Sequence, residues 1–242
     1  MRTLIKILAS SAAALSLGYA NAAIFTLDGF DDASLAATTE TVNSDSDTVT
    51  DSNNNDLFAT RMIVVNSTGA NQAANIQADM SVADSLAYSA ETGVTSDYLV
   101  GYVLDGPVDL TAGKGVAGMN DFFEVFVAAT DFKALIEVSV NGGSFSTVGE
   151  IPAGVNQIQP PLTASFALNT FMGDLTAVTT LDFRFTPLDF NNNPAAAADG
   201  QFDFLRFNVE GDFVPPQPVP VPGSLLMIGL GLLGLRKVRT TS

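Results

Sequence analysis

The sequence predicts an all-β fold, a two-sheet antiparallel sandwich of the jelly-roll type, from three observations. Hydrophobic and polar side chains alternate with period two in residues 135–140 (LIEVSV) and 180–185 (TLDFRF), which is typical of strands with one buried face. The 17 phenylalanines are enough to fill a core between two sheets in a chain that has no tryptophan. Outside the two ends of the chain, no segment keeps a helical period.

The individual strands follow from short apolar runs that Gly, Asn, Asp and Pro separate. Residues 122–128 (FFEVFVA) and 202–209 (FDFLRFNV) are apolar on both faces, which predicts two central strands. Asn141-Gly142-Gly143 predicts a hairpin turn after residues 135–140. The remaining predicted strands are residues 24–27, 57–65, 74–82, 97–104 and 162–168.

Composition excludes several classes of function. The 242-residue chain has no Cys, His or Trp, which excludes disulfides, thiol nucleophiles, Cys/His zinc sites and a Ser-His-Asp triad. Its formal net charge of −16 excludes the basic footprint of a nucleic-acid binder. Between Asp28 and Asp212, 26 acidic residues face only five basic ones, a balance of −21 that attracts divalent cations. We expect no enzymatic activity.

The N-terminus has the order of features found in a secretory signal peptide. Arg2 and Lys6 form a short basic region, and residues 4–17 are predominantly apolar. Ala20 and Ala22 then supply the small residues at −3 and −1 that a signal peptidase requires. The mature chain is therefore predicted to begin at Ala23.

The C-terminus has three parts in a fixed order. Residues 214–222 (VPPQPVPVP) form a proline-rich stretch that cannot join a helix or a central strand. Residues 223–235 (GSLLMIGLGLLGL) are uncharged and rich in Gly and Leu, and residues 236–239 (RKVR) are basic. An apolar run with a basic end stops in a membrane and leaves that end in the cytoplasm. The run is short for a permanent anchor, so we expect a helix that is removed.

This tail resembles the PEP-CTERM sorting signal of Gram-negative bacteria, which some classifications call an ice-binding-protein C-terminal domain. The resemblance implies export, handling by an exosortase, and organisms that make exopolysaccharide and biofilm. One position departs from the family pattern, because Val221 stands where the family has Glu. The residues that carry the motif are Val219, Pro220, Val221, Pro222, Gly223, Arg236, Lys237 and Arg239.

These features divide the chain into four parts: a signal peptide (1–22), an acidic β-sandwich domain (23–213), a proline-rich linker (214–222) and a sorting helix with its basic tail (223–242). We expect a secreted structural or adhesive protein of the cell surface or extracellular matrix. Its expected partners are signal peptidase, exosortase and, transiently, the inner membrane. The alternative is a module that binds exopolysaccharide, and a glycoside hydrolase comes third.

The candidate metal site is an acidic segment, residues 39–56 (TETVNSDSDTVTDSNNND). Its oxygen-bearing side chains at short spacing suit Ca²⁺, although the pattern of an EF-hand is absent. A solvated acidic loop is the alternative interpretation. A second candidate joins Asp28, Asp31 and Asp32 to Asp203 or Glu210. The carboxylates of the first candidate are Asp45, Asp47, Asp51 and Asp56.

Two candidate sites concern carbohydrates. Tyr98 and Tyr102 lie on one predicted strand with the same parity, so they face the same side and form either a sugar platform or part of the core edge. Glu124 and Glu137 are the only carboxylates that we consider for a glycosidase pair, and we favour the interpretation that they occupy solvent-facing strand positions. Ice-binding faces usually consist of regular Thr-x-Thr repeats on successive strands. Thr48-Val49-Thr50 is a single instance, so we do not expect the domain to bind ice.

Overall fold

The computed structural model describes residues 22–30, 35–38, 44–50, 57–68, 74–79, 85–155 and 159–210. These residues form two antiparallel β-sheets, which confirms the predicted sandwich. The strands in chain order are β1 (Ala22–Asp28), β2 (Leu35–Thr38), β3 (Ser44–Thr50), β4 (Phe58–Thr68), β5 (Ala74–Asp79), β6 (Ser85–Ala90), β7 (Thr95–Val108), β8 (Phe122–Thr130), β9 (Lys133–Val140), β10 (Ser146–Ile151), β11 (Leu162–Ala167), β12 (Val178–Leu188) and β13 (Asp199–Glu210).

Sheet A has the order β11-β8-β13-β6-β5-β2, and β1 pairs with the C-terminal half of β13. Sheet B has the order β10-β9-β12-β7-β4-β3. From β6 to β9, and again from β10 to β13, consecutive strands alternate between sheet A and sheet B. This repeated crossing between two sheets is the jelly-roll-like topology that the sequence predicts.

The core lies between the sheets and is filled by aromatic rings from both of them. Phe123 of sheet A stacks on Phe183 of sheet B, with ring centroids 4.5 Å apart and planes 17° from parallel. Tyr88 and Tyr98 meet across the sheets at 4.5 Å between centroids. These four rings thus lie on the inner faces of their strands, as the period-two pattern predicts.

Two specific predictions about strands are confirmed. β13 is central in sheet A, where it pairs with β8 on one side and with β6 and β1 on the other. β9 and β10 form a hairpin whose turn residues, Asn141 and Gly142, have φ of 52° and 69°. Two consecutive positive φ values define a type I′ turn, whose twist matches that of the flanking strands.

The structure corrects the interpretation of residues 39–56 as one loop, because Ser44–Thr50 is strand β3. It pairs antiparallel with β4 and forms an edge of sheet B. An edge strand with alternating Ser and Asp resists pairing with another chain. Strands β2, β6 and β10 were also absent from the sequence-based set, since they are short or rich in small and polar residues.

Candidate functional site

The expected sugar platform at Tyr98 and Tyr102 is contradicted by burial. Both residues face the same side of β7, as predicted, but that side is the core, and their exposed fractions are 0% and 1%. The Tyr98 hydroxyl accepts a hydrogen bond from Ser96 Oγ at 2.6 Å, and the Tyr102 hydroxyl donates to Asp28 Oδ2 at 2.8 Å. Neither ring has a face that a sugar can reach, so both tyrosines are core residues.

Asp28 lies at the centre of a buried polar network rather than at a calcium site. Arg61 Nη1 donates to both carboxylate oxygens of Asp28, at 2.7 Å and 2.6 Å, and neither side chain is exposed. The N–H of Phe30, a residue with φ of 56°, donates to Asp28 Oδ1 at 2.7 Å. Burial raises the pKa of the Asp28 carboxyl, and the charge and hydrogen bonds of Arg61 oppose that rise. These donors leave Asp28 no role as a calcium ligand.

The acidic segment lies mostly outside the described residues. Asp51 and Asp56 are outside them, and of Asp45 only the backbone, in β3, is described. The Asp47 carboxylate accepts hydrogen bonds from the N–H groups of Ala36 and Thr48, at 3.2 Å and 2.8 Å. Within the described residues no three carboxylates converge in the way that a metal ion requires. Calcium binding by this segment therefore stays a prediction.

Glu124 and Glu137 do not converge on one site. Glu124 lies on β8 of sheet A and forms an ion pair with Arg206, whose Nε is 2.5 Å from the carboxylate. Glu137 lies on β9 of sheet B and forms an ion pair with Arg184, whose Nη1 is 3.2 Å from the carboxylate. Each carboxylate is on the outer face of its sheet, because its neighbours along the strand are buried on the inner face. A pair of glycosidase carboxylates must face one sugar from two sides, and this pair cannot.

A clamp holds the end of β13, where the described domain stops. Lys114 Nζ donates to both oxygens of the Asp121 carboxylate, at 2.8 Å and 2.7 Å, and to the backbone oxygen of Glu210 at 2.7 Å. The N–H of Glu210 donates back to Asp121 Oδ1 at 2.8 Å. Burial alone raises the pKa of Asp121, but the hydrogen bonds from Lys114, Gly118 and Glu210 outweigh it and hold that pKa below its ordinary value.

A groove of about 270 Å³ crosses the outer face of sheet B. We call it the Gly101 groove, because Gly101 lies at its centre, directly between Met62 on β4 and Asp182 on β12. A Cβ at position 101 would lie 2.7 Å from Asp182 Oδ1, so the missing side chain leaves room for the carboxylate. The other residues that line the groove are Thr48, Thr60, Tyr102, Val103 and Thr180, of which Tyr102 has its ring buried in the core.

Asp182 has no hydrogen bond or ion pair with any described residue. The carboxylate is half-buried, and burial is the cause that raises the pKa of Asp182 above its ordinary value. Arg184, the next residue on the same face of β12, is held by Glu137 and lies 3.8 Å from the centroid of the Phe145 ring. The groove thus contains an uncompensated acid between apolar walls.

The outer face of sheet A carries a different set of side chains. Phe126 on β8 stacks on Phe204 on β13, with centroids 5.3 Å apart. The Arg206 guanidinium lies 4.7 Å from the centroid of Phe204, and Glu124 and Asn208 lie beside it. The half-buried rings of Phe126 and Phe204 therefore offer aromatic surface beside planar polar groups, which the predicted tyrosines do not.

The sorting tail is identified by its sequence. Residues 218–239 match the family model of the PEP-CTERM protein-sorting motif, which confirms the resemblance and indicates export and surface sorting. The predicted linker and sorting helix lie outside the described residues, and no helix within the described ranges is long and apolar enough to cross a membrane. The match assigns the tail alone and gives no family to the β-sandwich.

Comparison with curated proteins gave no match. Among solved structures, a variant of a family 29 carbohydrate-binding module complexed with mannohexaose is similar at 9% identity and a TM-score of 0.36, over 79% of this chain and 94% of that chain. A family 11 carbohydrate-binding module from Clostridium thermocellum, in complex with a mixed-linked tetrasaccharide, is similar at 12% identity and a TM-score of 0.35, over 78% and 97%. Similarities this low carry no argument about what this chain binds.

Sequence reasoning missed the Gly101 groove, since nothing in the sequence shows that Gly101 and Asp182 are neighbours across two strands. The detectable signal was Gly101 itself. A glycine in the middle of an otherwise apolar strand marks a close approach or a depression on one face of the sheet. Which residue faces Gly101 on the neighbouring strand depends on strand order, and the sequence alone does not predict that order.

Proposed function

We propose that this protein is an exported, non-enzymatic β-sandwich that an exosortase-type system delivers to the cell surface or extracellular matrix, where it has a structural or adhesive role. The observation that carries the proposal is the PEP-CTERM match at residues 218–239. It follows a domain whose last strand ends at Glu210, so seven residues separate the described fold from the motif. The domain and its sorting signal are thus adjacent along the chain.

The end of β13 suits a domain that is held through its tail. The Lys114–Asp121 clamp binds both the N–H and the backbone oxygen of Glu210. β13 also pairs with three other strands, so a force applied at the C-terminus is borne by the backbone hydrogen bonds at the centre of sheet A. This arrangement supports a role in which the sandwich is attached, at least transiently, by the segment that follows it.

The sorting step is tested with matched proline variants in the native host. Pro220→Ala/Pro222→Ala alters the Pro-x-Pro element within the matched motif, and Pro215→Ala/Pro216→Ala alters the same linker outside it. We expect the first variant to accumulate as an uncleaved form in the inner membrane, and the second to be processed like the wild type. Fractionation, immunoblotting and intact-mass measurement give the location and both ends of each form.

Deleting residues 236–242 is a second test of the same step, because the basic end holds the tail on the cytoplasmic side. We expect that deletion to release uncleaved precursor. If the Pro220/Pro222 variant is processed and located like the wild type, Pro-x-Pro recognition is wrong for this chain.

Saccharide binding by the outer face of sheet A is the second candidate function. The aromatic pair Phe126–Phe204 supplies apolar ring surface, and Arg206 and Glu124 supply planar donors and acceptors beside it. Binding of exopolysaccharide from the host to the wild type, with loss in Phe126→Ala and none in the core-edge variant Val148→Ala, is the expected result. Equal binding by Phe126→Ala would exclude this face.

A further inference from the structure

The Gly101 groove combines one uncompensated carboxylate with apolar walls. Met62 and Val103 are 38% and 50% exposed, although both are large hydrophobic side chains. Asp182 lies against Gly101 with no hydrogen bond or ion pair from the described residues, as shown above. A half-buried carboxylate without a donor loses solvation and gains nothing in return.

We propose that the Gly101 groove binds the side chain of a lysine presented by a partner protein, with the ammonium on Asp182 and the methylene stem against Met62 and Val103. This inference rests on the proposed function in one respect: the partner is a protein that this chain meets outside the cell. It names the chemistry by which a structural or adhesive protein of this kind holds a neighbour.

Charge favours a cation over every other polar ligand. The segment from Asp28 to Asp212 has a balance of −21, so its field repels anions and concentrates cations at the surface. An ammonium placed on Asp182 forms a charge-assisted hydrogen bond and compensates the desolvated carboxylate. Arg184 cannot supply this charge from the same strand, because Glu137 and the ring of Phe145 already hold its guanidinium.

The walls favour an aliphatic stem over a sugar ring. Met62 Cε lies 3.5 Å from the position that a Cβ would occupy on Gly101, so a thioether methyl borders the open space. Methylene groups of a lysine pack on such walls while the charged end reaches a polar partner. Tyr102 also lines the groove, but its side chain is 1% exposed and its hydroxyl reaches the buried Asp28, so its ring belongs to the core. No exposed aromatic ring, side-chain amide or guanidinium is among the described residues that line the groove, and these are the groups by which proteins usually hold sugar rings.

Within the described residues, a second copy of this chain has no lysine free to enter the groove, so we assign the partner to a different protein. The two lysines of the described domain are both engaged, Lys114 by Asp121 and Lys133 by Glu150 and Asn192. The groove is open to solvent, so a lone lysine side chain should bind it more weakly than the same side chain carried on a protein. A lysine carried on a protein brings further contacts along the sheet.

The experiment follows the methyl group of Met62 by NMR in the purified full chain, labelled with methyl-¹³C methionine in a nonionic detergent. Met62→Leu assigns the signal, and the exposed Met119 and Met172 serve as internal references outside the groove. The probe that is titrated is Nα-acetyl-lysine N-methylamide. Two compounds are titrated for comparison: the norleucine analogue, which has the aliphatic stem without the ammonium, and 1,4-diaminobutane.

We expect a saturable shift of the Met62 methyl with the lysine probe and none with the norleucine analogue. Asp182→Asn should weaken binding by about tenfold or more, because it removes the charge that holds the ammonium. The matched control is Asp203→Asn on sheet A, whose pKa is likewise raised by burial, and it should leave binding unchanged. Gly101→Leu, which fills the groove, should abolish the shift.

A circular dichroism spectrum and a urea unfolding transition like those of the wild type establish that Asp182→Asn is folded. A shift that never saturates, equal affinity in Asp182→Asn, or equal binding of the norleucine analogue would each overturn the proposal. Tighter binding of 1,4-diaminobutane than of the lysine probe would assign the groove to a free polyamine instead. Because the purified chain is used, these results do not depend on whether the tail is sorted.

Discussion

Arg61 on β4 and Asp28 on β1 form a fully buried ion pair that joins the two sheets. Asp28 is the last residue of β1, and Tyr102 of sheet B donates a third side-chain hydrogen bond to the same carboxylate. The Arg61 guanidinium also lies 5.3 Å from the centroid of Phe30 and 5.5 Å from that of Phe58. A cation and an anion are therefore enclosed by aromatic rings.

Removing one partner of this pair should be more harmful than removing both charges. We expect Arg61→Met to lower the free energy of unfolding by about 3–5 kcal/mol, since it leaves a buried carboxylate without its cation. Asp28→Asn/Arg61→Met should recover part of that loss, because the amide still accepts from Tyr102. Urea unfolding followed by circular dichroism measures both values. Arg184→Met, which breaks a more exposed pair, is the control and should cost about 1 kcal/mol or less; a similar loss in both single variants would contradict the assignment.

Stability should rise as the pH falls from neutral toward about 4. Burial and then the neighbouring charge of Asp131 raise the pKa of Asp199, and burial raises that of Asp203, both from an ordinary value of 3.8. A carboxyl whose pKa is higher in the folded state stabilises the fold fully below its unfolded pKa, and that stabilisation is lost as the pH rises through the folded pKa. The pKa of Asp121 is shifted in the opposite direction, below 3.8. Its contribution to the free energy of unfolding is therefore lost as the pH falls below 3.8.

Asp199→Asn tests this sign directly. The variant should reduce the dependence of unfolding free energy on pH between about 4 and 7, and should be no less stable than the wild type at pH 7. Urea unfolding across that range, with the slope on denaturant held constant, gives the comparison. A wild-type domain whose stability falls steadily from pH 7 to pH 4 would show that the carboxyls with lowered pKa dominate.

We propose that Ca²⁺ stabilises the domain through the acidic segment of residues 39–56. The melting temperature should rise more with millimolar Ca²⁺ than with Na⁺ at matched ionic strength, because a specific site binds the folded state while screening acts equally for both. Asp51→Asn/Asp56→Asn should remove the difference, and Asp203→Asn should not. Equal shifts with the two cations would leave screening as the only effect.

The Lys114–Asp121 clamp should control the end of β13 locally. Lys114→Met leaves the Asp121 carboxylate with backbone donors alone, and we expect a loss of about 1–3 kcal/mol in unfolding free energy. The Glu210 amide, which donates to Asp121, should exchange its hydrogen faster. Lys133→Met provides the comparison, because its 3.4 Å contact with Glu150 is more exposed. Unchanged exchange at Glu210 would mean that strand pairing with β1, and not the clamp, holds this end.

The sequence predicted those features that depend on local pattern. Period two located β9 and β12, and two-sided apolar runs identified β8 and β13 as central strands. β3 was not predicted because an edge strand needs no apolar face, and SDSDTVT has almost none. The parity of Tyr98 and Tyr102 was predicted, but which face of β7 is covered depends on the second sheet. The Gly101 groove depends on strand order in the same way.

The pairing of Ala23, the predicted first residue of the mature chain, with Val209 has a consequence for the timing of folding. A chain that emerges from its N-terminus presents Asp199–Glu210 after every other strand, yet β1, β6 and β8 all need this strand as their hydrogen-bonding neighbour. Sheet A therefore cannot close until almost the whole chain has emerged, and pairing across so long a loop is slow. The domain therefore reaches its folded state only when the residues just before the sorting motif have emerged.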